Sequence, residues 1–280
     1  MSAGPPAIWA IVPAAGSGQR MGSATPKQYL RIAGASLLEH SLRALLAHPQ
    51  VVGAVVALAA DDPHWPELEA RLSESVFPSA KMGFGSLDAP ADRAAVAPAN
   101  AIVKPILRSL GGRERADSVR AALGLLGQQH GATQNWALVH DAARPCLRVD
   151  DLDRLIQRCL RTGEGGLLAA PVRDTLKRVD PALASVDQRV LGTESRAGLW
   201  RALTPQLFPA VALADALDAA QAAGVAVTDE AMAMERVGAK PLLVEGAEDN
   251  LKVTTPADLA LAEYVIGCRE QGAGNLESSF

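Results

Sequence analysis

Short apolar runs bounded by turn residues alternate along the chain with stretches of helical period, and few architectures tolerate that alternation. Runs that are apolar at every position need cover on both faces, so they belong to a mostly parallel sheet with helices on either side. The runs at 8–12, 51–59, 136–140, 166–171 and 241–245 are read as those strands. Apolar residues at helical spacing predict helices at 116–129, 149–161, 209–223 and 256–268, and another over SLLEHSLRALLAH. That helix opens on a capping-box pair, Ser36 and Glu39, carries Leu38, Leu42, Leu45 and Leu46, and stops before Pro49. The expectation is one Rossmann-like α/β domain over the whole chain, since 280 residues, 49% of them hydrophobic, can bury a full core.

Three stretches break the rhythm. Residues 77–100 are rich in Ala, Pro, Gly and Ser without a sustained period, and read as a surface loop or insertion. Residues 173–202 hold short alternating pieces such as TLKRV and LWRAL, which suits a β-hairpin arm projecting from the sheet and needing a partner surface, hence a homodimer. The polar tail, 267–280, is expected to be loose.

Composition excludes several functions. A net charge of −4 gives no broad electrostatic grip on nucleic acid or an anionic membrane, so any anion site must be local. The longest apolar run, VVGAVVALAA, has ten residues, short of the roughly 18 that suggest a membrane span. Three cysteines without metal-ligand spacing, and an N-terminus without a basic signal region, lead to the expectation of a cytoplasmic protein with ordinary thiols and no protein-held metal.

The segment PAAGSGQRMGSATPKQYL follows the first strand. Small residues let backbone N–H groups converge on an anion, and a loop leaving a parallel strand is where open α/β sheets bind ligands. Neither common phosphate fingerprint fits: no Gly-Lys pair follows at P-loop spacing, and Met21 stands where a dinucleotide motif needs its third glycine. What remains is a long loop delivering two cations, Arg20 and Lys27, to one place. In GGRERADSV, Ser118 reads either as part of a capped helix start or as a donor to a base or ribose. WALVHDAARPCL puts Asp141 and Arg144 past a buried strand, placed to meet a ligand or hydrated metal or simply to pair with each other; His140 reads as a strand residue. Thr228, ahead of Asp229 and Glu230, and Thr255, ahead of Pro256, read as helix N-caps.

Taken in order, these segments with PVRDTLKR, ESRAGLWRALTPQ, VTDEAMAME and EGAEDNLKVTTPADLALAE closely resemble the 2-C-methyl-D-erythritol 4-phosphate cytidylyltransferases, from about 8 to 266. The resemblance implies CTP as one substrate, Mg²⁺ bound mainly through its triphosphate, and a homodimer that exchanges a hairpin arm. It implies that Arg20 and Lys27 contact the triphosphate and that Ala14, Ala15, Gly16, Gly112 and Ser118 hold the cytidine. The acceptor phosphate site matches Asp141, Arg144, Thr175, Arg196, Thr204 and Lys252, with Arg196 and Lys252 positioning the attacking phosphate and part of the set coming from the partner's arm. Two departures stand out: the 77–100 segment, and Arg113 where an acidic or small residue is common beside the base. Alternatives from the same residues are a cytidylyltransferase for another polyol phosphate, such as ribitol 5-phosphate, or a catalytically silent nucleotide-binding subunit.

Overall fold

The computed structural model describes residues 6–16, 25–76, 104–130 and 135–277. Arg20 and the 77–100 segment therefore lie outside the described residues. The elements follow in order. β1 (Ala7–Pro13) leads to a short hairpin of β2 (Arg31–Ile32) and β3 (Ala35–Ser36), then α1 (Leu37–Ala47), β4 (Val51–Leu58) and α2 (Trp65–Val76). β5 (Ile106–Leu110), α3 (Arg115–His130), β6 (Asn135–Val139), α4 (Val149–Thr162) and β7 (Gly166–Pro171) come next. The small strands β8 (Leu176–Arg178) and β9 (Gly192–Glu194) precede β10 (Trp200–Pro209), α5 (Ala210–Ala222), α6 (Glu230–Arg236), β11 (Leu242–Glu245) and α7 (Pro256–Glu277).

Seven strands form one sheet in the order β11-β7-β10-β6-β1-β4-β5. All neighbouring pairs are parallel except the two made by β10, which is antiparallel to both β6 and β7. The alternating side chains of β1 explain the layering: Ile8, Ala10 and Val12 pack with Leu38, Leu42 and Leu45 of α1 on one face. Trp9 and Ile11 pack on the other with Val119, Leu123 and Leu126 of α3 and with Leu213 and Leu217 of α5. A third cluster, Ile32, Leu37, Cys146, Val253, Ala262 and Ile266, seats α7 against the β2–β3 hairpin and the loop after β6.

The five expected strands and five expected helices are present, with ends shifted by a residue or two except at the end of α7. The Ser36 cap forms: its Oγ accepts from the Glu39 N–H at 3.1 Å, while the Glu39 carboxylate turns to Arg43 and Arg71. Among the described residues β2, β3, α2, β5, α6 beyond its first turn, and β10 were not anticipated. Residues 203–208 of β10 are buried, but Pro205 disguises it, because proline cannot donate to a ladder. The register shifts between Ala202 and Gln206, which is how the sheet accommodates it. The arm is therefore shorter than 173–202: β8 and β9 pair antiparallel within an exposed excursion, and residues from Trp200 onward belong to the main sheet. The expectation of a loose tail from 267 is corrected, since α7 runs on through Gly267 to Glu277; no proline follows to stop it, and Arg269, Glu270 and Gln271 are good helix formers. The N-cap of α6 is Asp229, not Thr228. Cys146 and Cys159 are buried and Cys268 is exposed, so not all three thiols sit in the interior.

Candidate active site

After β1 the chain continues through α1 to β4 and β5 on one side of it, then crosses back to β6 on the other. The carboxyl ends of β1, β5 and β6 thus open onto one crevice, the position where such sheets bind ligands. A cleft of about 550 Å³ lies there. It is lined by Ala14, Ala15 and Gly16 past β1, by Lys27 and Gln28, by residues 112–115 and Ser118, by residues 141–143, and by Lys252.

Local bonding sets each part. Ala14 N–H donates to the Ala57 carbonyl, extending the β1–β4 ladder one step, and its own carbonyl accepts from Gln28 Nε2 at 2.7 Å. That bond pins the Pro26-Lys27-Gln28 turn beside the loop, and Lys27 lines the cleft. On the opposite wall a Cβ on Gly111 would stand 2.1 Å from Ala15 Cβ, and one on Gly112 2.1 Å from Asp117 Cβ, so both positions must be bare. Ser118 holds this turn. Its Oγ accepts from Gly112 N–H at 3.0 Å and donates to the Glu114 carbonyl at 3.3 Å, so its hydroxyl hydrogen stays within the turn while the side chain borders the cleft.

The floor is a charge cluster around Asp141. Its Oδ1 accepts from Arg115 Nε at 2.9 Å, and its Oδ2 lies 3.4 Å from Arg144 Nε and 3.0 Å from Lys252 Nζ. Arg115 also forms a two-pronged pair with Glu230 at the start of α6, at 2.6 and 3.0 Å. Burial works against the Asp141 charge, but the three cations outweigh it and hold the carboxyl far below the usual carboxylate range. Three cations against two carboxylates leave the cluster positive, with Lys27 across the cleft adding a further charge. Backbone bonds lock the cluster in register: Arg144 N–H donates to the Asp141 carbonyl, and Val253 N–H to the Ala143 carbonyl, which brings Lys252 alongside.

Of the residues singled out from sequence, Ala14, Ala15, Gly16, Lys27, Gly112, Ser118, Asp141 and Lys252 meet in this one cleft, and Arg113 lines it too. Arg144 and Thr204 sit directly behind, bonded to Asp141. Thr175 and Arg196 do not join them, being exposed on the arm and absent from the lining of this cleft. Asp141 and Arg144 pair with each other, and within a shared network that also serves the cleft. Sequence reading missed Arg115, Glu230 and Asn250. The first two lay in quoted segments as helix-start charges, but 115 residues separate them, and no local signal announces a pair at that range. Asn250 is wholly enclosed, gives its side-chain N–H to the Thr204 carbonyl, and takes Arg144 Nη1 on its own carbonyl.

Fold and site together define an α/β protein with a cation-rich cleft at the carboxyl edge of its sheet, where such folds take anionic ligands. Comparison with known proteins narrows this. The family model described as 2-C-methyl-D-erythritol 4-phosphate cytidylyltransferase (IspD) matches residues 8–78 and 91–268. The protein of that name from Xanthomonas campestris pv. campestris (strain 8004) is 49% identical over 272 residues, 97% of this chain and 89% of the relative. The one from Vibrio vulnificus (strain YJ016) is 47% identical over 257 residues, 92% of this chain and 93% of the relative. Among solved structures, a 4-diphosphocytidyl-2C-methyl-D-erythritol synthase superposes with a TM-score of 0.69 at 32% identity, covering 93% of this chain and 99% of the other. The Francisella tularensis 2-C-methyl-D-erythritol 4-phosphate cytidylyltransferase gives 0.67 at 28% identity, covering 92% and 99%. The chain belongs to the 2-C-methyl-D-erythritol 4-phosphate cytidylyltransferase family.

Proposed function

We propose that this chain joins CTP to 2-C-methyl-D-erythritol 4-phosphate, giving 4-diphosphocytidyl-2-C-methyl-D-erythritol and pyrophosphate, as a cytoplasmic homodimeric enzyme of non-mevalonate isoprenoid biosynthesis. The observation that carries the reading is the cluster of Arg115, Arg144 and Lys252 on Asp141, facing Lys27 and the small-residue loop across one cleft. Family membership supplies the identity of the substrates. Among the described residues no helix is long and apolar enough to cross a membrane.

In the reaction a phosphate oxygen of the acceptor forms a bond to the α-phosphorus of CTP, and the bond to the bridging oxygen breaks, its electron pair leaving with pyrophosphate. A phosphate monoester has its second pKa near about 6 and is largely dianionic at neutral pH, so no general base is needed. The obstacle is repulsion between anions, roughly 4 kcal/mol for each unit pair at 4 Å in an effective dielectric of 20. Lys252 and Lys27, on opposite sides of the cleft, offset that repulsion and hold the partners in line, with Arg20 and the arm's Arg196 in the same roles by family resemblance. Asp141 is a brace for the cations, both its oxygens being engaged by them.

That engagement also bears on magnesium. No group of three His, Cys, Asp or Glu side chains suited to a metal occurs among the described residues, and Asp141 is surrounded by positive charge. A hydrated Mg²⁺ carried in on the triphosphate suits this cleft; an ion caged by protein carboxylates does not. When bound it neutralises charge on the phosphates.

The test is pyrophosphate release by purified protein with each nucleoside triphosphate and with methylerythritol phosphate or ribitol 5-phosphate. Turnover confined to CTP and methylerythritol phosphate is expected, with Lys27→Ala lowering kcat by about a hundredfold or more. Preference for ribitol 5-phosphate, or no release with any pair, overturns the reading.

A further inference from the structure

Lys27, Gln28 and Tyr29 form a single 3₁₀ turn, which has three residues per revolution, so its side chains leave the axis about 120° apart. Two of the three directions are committed. Gln28 Nε2 donates to the Ala14 carbonyl past β1 at 2.7 Å, and the Tyr29 hydroxyl donates to Asp62 Oδ2, past the neighbouring strand β4, at 2.9 Å. Lys27 takes the third and lines the cleft. The turn is thus anchored to the carboxyl ends of two adjacent strands, through two buried side chains.

The Tyr29 anchor is itself well held. Burial and the Asp62 carboxylate raise its pKa well above the tyrosine range, so the hydroxyl keeps the hydrogen it donates. Asp62 Oδ1 accepts from the His64 N–H at 3.0 Å, and the His64 ring lies against that of Tyr29, centroids 4.8 Å apart. The cleft touches Lys27 and Gln28 but not Tyr29, whereas a second cavity of about 330 Å³ is lined by Tyr29 and Leu30, with His64 and Arg71, and by neither Lys27 nor Gln28. The turn is a partition between two hollows, and packing alone does not fix its angle.

We propose that Tyr29 and Asp62 are positioning residues for the transfer reaction: their bond fixes the rotation of the turn about its own axis and so aims Lys27 at the phosphates of the nucleotide. The proposal rests on the function argued above. Without the bond the turn swivels about its Gln28 anchor, and Lys27 spends part of its time off line. That costs rate more than binding, because its charge is used where the transition state develops.

Kinetics and hydrogen exchange test it. Tyr29→Phe and Asp62→Ala should each lower kcat about tenfold, the scale of one lost hydrogen bond, with both KM values little changed. Asp62→Asn should keep most of the rate, since its amide can serve both the His64 N–H and the Tyr29 oxygen. Introduced into Lys27→Ala protein, Tyr29→Phe should cost nothing further; losses that multiply would mean that Tyr29 acts on the fold generally and not through Lys27, and would refute the proposal. Unchanged kcat in the single variants, or a loss confined to KM, overturns it equally. In native-state hydrogen exchange the amides at positions 29 and 30, bonded to the Pro26 and Lys27 carbonyls, should exchange faster in Tyr29→Phe while the central strands do not; unaltered exchange overturns the proposal. The two variants break one bond from opposite sides, so if one fails to fold the other decides. Wild-type protein without turnover on any substrate pair removes the proposed reaction, and the exchange measurement still decides whether this bond holds the turn.

Discussion

His140 sits where water cannot reach it, and burial pushes its pKa from the usual 6.5 down to about 4. The unfolded chain takes up a proton near pH 6.5 that the folded chain refuses until about pH 4, so between those values the unfolded state binds more protons and stability rises with pH. From pH 7 to pH 5 the folded state should lose about 2 kcal/mol through this residue alone. Urea unfolding at the two pH values, with His140→Gln as control, measures it: the variant's pH dependence should be flatter by that amount, and parallel curves would remove His140 as the cause. Asp141 contributes in the same sense, its folded pKa also being lowered, but outside this window. Its lowered pKa gives stability that is present above the unfolded carboxylate range and lost only as pH falls through the far lower folded value. The buried thiols behave as packing groups, burial pushing Cys146 up to about 11 and Cys159 to about 12, so neither is thiolate at neutral pH.

Helix α6 shows how a short element transmits position to the site. Asp229 Oδ1 caps it by accepting from the Met232 N–H at 2.9 Å, and Oδ2 accepts from Gln206 Nε2 of β10 at 3.0 Å. Gln206 Oε1 in turn accepts from the Ala231 N–H, so α6 begins at a defined point on the sheet. From that point Glu230 meets Arg115, and Arg115 braces Asp141. Replacing Asp229 by Ala should cost about 1–2 kcal/mol in urea unfolding, the range for a lost cap, whereas Asp229→Asn, an equally good cap, should recover most of it. Equal losses in the two variants would show that the carboxylate's charge or its Oδ2 bond to Gln206, not the cap, was at work. The acidic helix start was visible in VTDEAMAME, but which residue capped it was not, because Thr228 and Asp229 are both good caps and only docking on β10 selects Asp229.

At the scale of the whole molecule, the cleft and the arm face a geometric problem. Thr175 and Arg196 are exposed on the arm, away from the cleft that holds the other expected site residues. The arm also displays Val186 at 90% exposure, with Val190 and Leu191 nearby, an apolar face more typical of a covered surface. If each site takes its Arg196 from the partner, mixing inactive Lys27→Ala protein with inactive Arg196→Ala protein should restore activity. Half the random dimers would be mixed and one of their two sites intact, giving about a quarter of wild-type turnover. Mixing after mild denaturation and refolding, followed by the pyrophosphate assay, reads this out. No recovery would place Arg196 in its own subunit's site or outside the chemistry.

Sequence alone determined the layers and the loops that carry the chemistry. Strands apolar on both faces have to be covered by helices, and small residues after β1 and β5 have to leave backbone exposed at one edge of the sheet. It also placed Lys27, Asp141 and Lys252 at strand and loop ends, as local spacing can. Only the tertiary structure decided how those charges balance. Arg115 meets Glu230, Asn250 grips Thr204 and Arg144, and β10 enters antiparallel between β6 and β7, each through contacts between residues far apart along the chain. Periodicity reports which face of a local element is apolar, but not which distant polar group will neutralise a buried one, because that partner is chosen by packing in three dimensions.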